Sequence, residues 1–236
     1  MYPYFTAVKN LKFNQLTFQF VVQFIALQVF SFLVCASTGS NANAAEFNLQ
    51  TGDLIFHMSK SSQSDAIGEA THSPYTHMGV IVQENGRWWV YEAIQPVTRT
   101  ALGAWIRRGK NGHFVVKRLK QQVLDMSSPK NQMALVDEMR KYFGLNYDLF
   151  FQWSDDRIYC SELAFKAYAA AHRIQIGQVQ TLSEMDLSSE KVKLLLAERE
   201  KLMGKEANMN EAIITPVSMM NSLLLVEIAR YTLGEI

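Results

Sequence analysis

The sequence predicts an α+β fold, with antiparallel strands in its first half and helices on either side of them in the chain. Three observations carry this. Met78-Gly79-Val80-Ile81-Val82 and Arg87-Trp88-Trp89-Val90-Tyr91-Glu92 flank an Asn85-Gly86 turn, the strongest hairpin signal in the chain. Ser128-Pro129 opens a helix that runs to about Phe143, with proline suited to the first turn. Asp155-Asp156-Arg157-Ile158-Tyr159 leads into Cys160-Ser161-Glu162-Leu163 and an Ala-rich apolar stretch, which reads as a second helix opened by a cysteine.

In chain order, residues 1–44 read as a signal peptide. Lys9 and Lys12 give a basic flank, Leu16 to Val34 is largely apolar, and Ala42-Asn43-Ala44 fits a small-x-small cleavage site after Ala44. Two alternatives stand beside cleavage: an uncleaved membrane anchor through residues 16–34, and a lipid on Cys35, for which the preceding Val34 is a poor match. The expected setting is therefore the periplasm or the membrane facing it. Without Lys9 and Lys12 the chain carries 21 basic and 22 acidic residues, a net charge of −1. That balance, with no basic stripe, argues against a nucleic-acid partner. Residues 45–236 are long enough for one domain with its own core.

Within that domain, Thr51-Gly52-Asp53 turns into a buried strand at Leu54-Ile55-Phe56. Ser59 to Ser64 is a polar loop, and Asp65 to Ala70 a short helix capped by Ser64. The hairpin follows, then a strand at Phe114 to Leu119 and the Ser128 helix, which Gly144 ends. An aromatic loop (Tyr147, Phe150, Phe151, Trp153) precedes the cysteine helix. Ser189 to Met203 is an amphipathic helix ended by Gly204, and Ile213 to Pro216 and Leu223 to Val226 are late strand or core pieces.

Once the signal peptide is set aside, Cys160 is the one cysteine left, so no disulfide explains it. A thiol on the first turn of a helix lies in the positive end of the backbone dipole, which favours the nucleophilic thiolate. Cysteine catalysis also needs a base, a polar group to orient it, and donors for an oxyanion. Of His57, His72, His77, His113 and His172, His77 is best placed, because it starts the first hairpin strand and can project into a cleft. Glu92 ends the partner strand, so antiparallel pairing makes the two neighbours. The proposed triad is Cys160, His77 and Glu92. The plainer readings are a buried apolar cysteine, a structural histidine and a solvated strand-end carboxylate. His57, His113 and His172 read as structural or surface residues. His72 with His77 lacks the further ligands a metal site needs, so no metal or cofactor is expected.

These residues resemble the YiiX/YebB-like family of permuted papain-like (NlpC-type) cysteine hydrolases over nearly all of residues 45–236. The resemblance rests on Gly52-Asp53-Leu54-Ile55-Phe56, Ser61-Ser62-Gln63-Ser64 with Ala66-Ile67, Ala70-Thr71-His72-Ser73, Tyr75-Thr76-His77-Met78-Gly79, Val90-Tyr91-Glu92-Ala93 and Pro96-Val97. Its most telling block is Trp153-Ser154-Asp155-Asp156-Arg157 with Tyr159-Cys160-Ser161-Glu162; Leu182, Asp186-Leu187-Ser188 and Pro216 extend it. It implies a circularly permuted papain-like fold, an antiparallel sheet or half-barrel against helices, with the histidine strand before the cysteine helix. It further implies Cys160 as nucleophile, His77 as base, Glu92 as orienting carboxylate and Tyr159 as a candidate at the oxyanion or substrate. One departure is His57, where the pattern leads one to expect Gln. The expected activity is hydrolysis of an amide, in a peptide or peptidoglycan-stem fragment, through a Cys160 acyl-enzyme. A lipid acyl hydrolase or acyltransferase, and a non-catalytic binding module, are the alternatives.

Overall fold

Gly52 turns the chain into the sheet with φ of +99°, and a Cβ there would sit 2.5 Å from Met126 Cε and 3.0 Å from the Tyr168 hydroxyl. Glycine is thus required twice over, by conformation and by close approach. The structure is a computed structural model and describes residues 47–231. The expected signal peptide 1–44, the alternative anchor 16–34 and Cys35 lie outside the described residues. Among the described residues no helix is long and apolar enough to cross a membrane.

Six antiparallel strands form the main sheet. They are β1 (Leu54–His57), β2 (His77–Glu84), β3 (Arg87–Glu92), β4 (Thr98–Ala101), β5 (Phe114–Leu119) and β10 (Leu225–Tyr231), in the spatial order β10-β5-β1-β2-β3-β4. Asn85 and Gly86 both have positive φ, as a two-residue hairpin between twisted strands needs. Alternation then sorts the side chains. Leu54, Phe56, Met78, Val80, Val82 and Tyr91 enter the larger core, while Ile55, Ile81, Val90, Phe114 and Val116 face a smaller one. Strands apolar on both faces are covered on both, which is why β1 and β2 read as unbroken apolar runs.

The larger core is closed by α3 (Pro129–Arg140), which buries Leu135, Val136 and Met139, and by α4 (Cys160–His172), which buries Leu163, Ala164, Ala167 and Tyr168. The smaller is closed by α2 (Leu102–Arg108) through Leu102 and Trp105. Helix α5 (Glu190–Met203) lies against α1 (Ser64–Thr71). Its Ser189 cap accepts the Val192 N–H at 3.3 Å, and Gly204 ends it at φ of +67°. Two-residue ladders β6 (Asn146–Tyr147) with β7 (Arg157–Ile158) and β8 (Gln180–Thr181) with β9 (Ala212–Ile213) fix the connecting loops, and α6 (Pro216–Met220) follows β9.

The structure differs from the sequence reading in several places. Strand β4, helices α2 and α6 and the short ladders β6–β7 and β8–β9 were not expected. Ser64 is not a helix cap: it is the first residue of α1, and its hydroxyl shares a 2.7 Å hydrogen bond with Thr76 Oγ1. The Ser128 helix stops at Arg140 and continues to Gly144 only as turns. The late apolar run at Leu225 continues to Tyr231 as an edge strand of the main sheet.

Candidate active site

Cys160 is the first residue of α4, preceded by Tyr159 in extended conformation (φ −107°, ψ 172°). The parallel ladder of β7 with β6 holds the chain just ahead of it. The N–H groups of a helix's first turn have no partner inside the helix and carry partial positive charge. The thiol is buried and hydrogen-bonded to the His77 ring, with the backbone N–H groups of Met78 and Ser161 also directed at sulfur. Burial alone would push the thiol up. Those bonds and the charge of His77 outweigh it, so the thiol lies below its usual range.

His77 opens β2 and is buried. Its Nε2 donates to Glu92 Oε2 at 2.6 Å, which leaves Nδ1 as the ring nitrogen for the thiol. Burial pulls the ring down, yet Cys160 and Glu92 together raise it to about 9. Thiolate and imidazolium therefore stabilise each other in the resting site.

Glu92 is wholly buried at the end of β3 and saturated with donors. Besides His77 it accepts from Trp105 Nε1 at 2.9 Å, Thr100 Oγ1 at 2.5 Å and Arg108 Nη2 at 2.6 Å. Burial would raise its pKa, but the bond and charge of His77, with the bonds from Arg108 and Thr100, hold it down at about 2. It is a fixed anion that orients the imidazole. Sequence reasoning missed Trp105, Arg108 and Thr100. They come from β4 and a seven-residue helix, too short to show a helical period.

His57 pairs in register with His77, and its ring stacks 3.8 Å from that of Trp105. Burial, and the positive charges of His77 and Arg108, lower it to about 2, so it stays neutral. The departure at position 57 thus lies directly beside the proposed base. The other histidines lie apart from the thiol: His72 pairs with Asp186 at 3.1 Å, His113 meets the Tyr75 hydroxyl at 3.0 Å, and His172 meets the Asn131 carbonyl at 3.1 Å. Among the described residues, no group of three or more His, Cys, Asp and Glu side chains is placed to hold a metal.

The Tyr159 ring lines the same cleft as Cys160. Its hydroxyl oxygen accepts the Ile214 N–H at 3.1 Å, which leaves the hydroxyl proton available to donate. The cleft itself is a small apolar cavity, about 90 Å³, that opens onto Cys160. Its walls include Ile67, Phe151, Leu182, Met185, Leu187, Leu195, Leu196 and Ile213, and Arg199 is the one cationic side chain among the described residues that line it.

Comparison with known proteins identifies the family. Residues 48–226 match the model of the permuted papain-like amidase enzyme, YaeF/YiiX, C92 family. The chain is 40% identical over 181 residues to the uncharacterized protein YiiX of Escherichia coli (strain K12), covering 77% of this chain and 86% of that one. It also resembles the crystal structure of metalloprotein yiiX from Escherichia coli O157:H7, with a TM-score of 0.72 and 40% identity, over 78% of this chain and 98% of that one. In this chain the strand β2 that His77 opens precedes the helix α4 that Cys160 opens, and the matched family is described as permuted papain-like. The chain belongs to the YaeF/YiiX, C92 family of permuted papain-like amidase enzymes.

Proposed function

We propose that the protein is an exported cysteine amidase that hydrolyses amides with an apolar acyl group, through an acyl-enzyme on Cys160. The observation that carries this is the apolar cavity opening onto the thiol. A buried, preformed apolar cleft with a few polar groups at one end is what an acyl chain needs. A peptide or peptidoglycan-stem fragment, the first expectation from the sequence, brings a succession of backbone amides for which these walls supply few partners.

The Cys160 thiolate attacks the amide carbonyl. The oxyanion that forms is met by the N–H of Cys160, at the first helical position, and by the Tyr159 hydroxyl. Imidazolium at His77 gives its Nδ1 proton to the leaving amine, and the C–N bond breaks to a thioester. Water then enters, and neutral His77 takes its proton as oxygen attacks the thioester. The carboxylic acid leaves, and thiolate and imidazolium are restored. Glu92 keeps Nε2 protonated throughout, so Nδ1 alone exchanges protons.

A homologous series of N-acyl amides with one leaving amine tests the reading. Each methylene buried should raise kcat/KM roughly fourfold until the cavity is filled, from about 0.8 kcal/mol per CH₂. A rate independent of chain length, with faster cleavage of stem peptides, would sink it.

A further inference from the structure

Among the described residues, Arg199 carries a buried charge with no counter-ion. It lies on α5, is 8% exposed, and lines both the cavity that reaches Cys160 and the adjoining groove beside Phe150 and Lys205. Its Nη2 donates to Gln63 Oε1 at 2.7 Å, and its guanidinium sits 4.3 Å from the centre of the Phe151 ring. Among the described residues it forms no ion pair. The acids whose charge it feels, Asp148 and Glu198, act only through space. Asp148 is committed elsewhere, to the N–H groups of Phe150 and Gln152 at 2.8 and 2.6 Å, and Glu198 is exposed.

Burying a guanidinium without a carboxylate is costly, and such charges are normally paired. A structural role accounts for part of Arg199, because its stem and face pack on Phe151. It does not account for the rest of a five-donor fork of which Gln63 takes one nitrogen. Among the described residues, no nitrogen of Arg199 is both fully enclosed and without a hydrogen bond, as His57 Nδ1 is. The spare N–H groups of Arg199 are therefore open to cavity space. Gln63 in turn hydrogen-bonds the Tyr147 hydroxyl, so the fork is held against a fixed neighbour.

We propose that Arg199 is an anion-binding subsite in the wall of the acyl cleft, and that the substrate is an apolar-chain amide bearing a carboxylate or phosphate. This rests on the cavity being the substrate site, as proposed above. Arginine suits either anion, through a bidentate pair that a lysine cannot reproduce. An uncharged acyl amide would leave the fork unpaired.

The test uses the full chain with Cys160→Ala, which binds without turnover, and three ligands of equal chain length. They are N-dodecanoylglycine, its neutral glycinamide, and N-dodecanoylethanolamine phosphate, with affinity measured by calorimetry. At least one anion should bind roughly 10- to 100-fold tighter than the glycinamide, as a charge-assisted contact implies, and the tighter anion names the group. Arg199→Met should bring the ratio close to one. Gln63→Glu, which keeps Arg199 but supplies an internal carboxylate, should do the same. Arg199→Lys should keep only part of the preference. Equal binding of charged and neutral ligands, binding of none of them, or a preference that survives Arg199→Met would overturn the proposal. Hydrolysis by the unsubstituted protein is scored separately. Anion-selective binding without cleavage of any of the three would count against the acyl-amide reading and leave the subsite standing.

Discussion

Glu92 reaches His77 along a diagonal of the β2–β3 pair rather than from directly opposite. The register pairs Val80 with Tyr91, so the next step sets Gly79 opposite Glu92, with His77 two residues further on the same face. Gly79 keeps that diagonal open. A Cβ there would fall 2.4 Å from Val90 Cγ1, 2.8 Å from the Tyr91 carbonyl oxygen and 3.3 Å from Glu92 Cβ. Gly79→Ala should therefore cost about 1–3 kcal/mol of stability, as overpacking does, and should lower kcat by moving the carboxylate. Denaturant unfolding and steady-state rates check this; an unchanged stability and kcat would show that the close approach is unimportant.

The ionisation states fix a pH profile. Activity should be carried by thiolate and imidazolium, with an acid limb below the ordinary thiol range and an alkaline limb near the His77 value of about 9. Glu92→Gln removes the carboxylate that raises His77, so the alkaline limb should move toward neutrality. Above both limbs the variant should lose about tenfold in rate per pKa unit. A limb that stays in place would show that Glu92 does not set the base.

The same groups contribute to stability in opposite directions. Raised in the fold, His77 stabilises fully below its ordinary 6.5, and the contribution is lost as pH rises through about 9. Glu92 is depressed, so its contribution is present above its ordinary 4.5 and lost as pH falls toward about 2. Stability from this pair should be greatest between pH 4.5 and 6.5, and the difference in thermal midpoint between Glu92→Gln and the unsubstituted chain should be largest there, narrowing as pH rises through about 9 and vanishing as pH falls toward about 2.

Trp105→Phe keeps the ring stack on His57 but deletes the 2.9 Å bond to Glu92. It should cost about 1.5–3 kcal/mol, the typical value of one hydrogen bond to a charged group, and shift the alkaline limb less than Glu92→Gln does. A larger shift than Glu92→Gln would mean that Trp105 acts on His77 by another route.

Asp53 in the Gly52-Asp53-Leu54 motif is structural on this account. It is buried and takes a two-pronged ion pair from Arg118, at 2.7 and 2.8 Å. Asp53→Ala leaves Arg118 half-buried and unpaired, and should cost about 3 kcal/mol. The folded fraction should keep its pH profile; a moved alkaline limb would place Asp53 in the site instead.

How much of this was legible in the sequence depended on length and local chemistry. The hairpin was readable because Asn85-Gly86 demands positive φ at two successive residues, and it carried His77 and Glu92 with it. Cys160 was readable because it opens a helix long enough to show itself. What surrounds Glu92 was not. Thr100, Trp105 and Arg108 sit on a four-residue strand and a seven-residue helix, and only tertiary packing turns them toward one carboxylate. Arg199 looked like one of several charges on an amphipathic helix. Its burial follows from the docking of α5 over Phe151, which no local pattern encodes.

The central claim is that Cys160 carries the acyl group between two half-reactions. Intact-protein mass spectrometry after rapid acid quench of a reaction with a long-chain N-acyl amide tests it most directly. The expected result is a transient mass increase equal to the acyl group less one hydrogen, mapped to Cys160 by fragmentation and absent from Cys160→Ala. Turnover with no adduct under conditions where deacylation is slowed, or hydrolysis retained by Cys160→Ala, would contradict it.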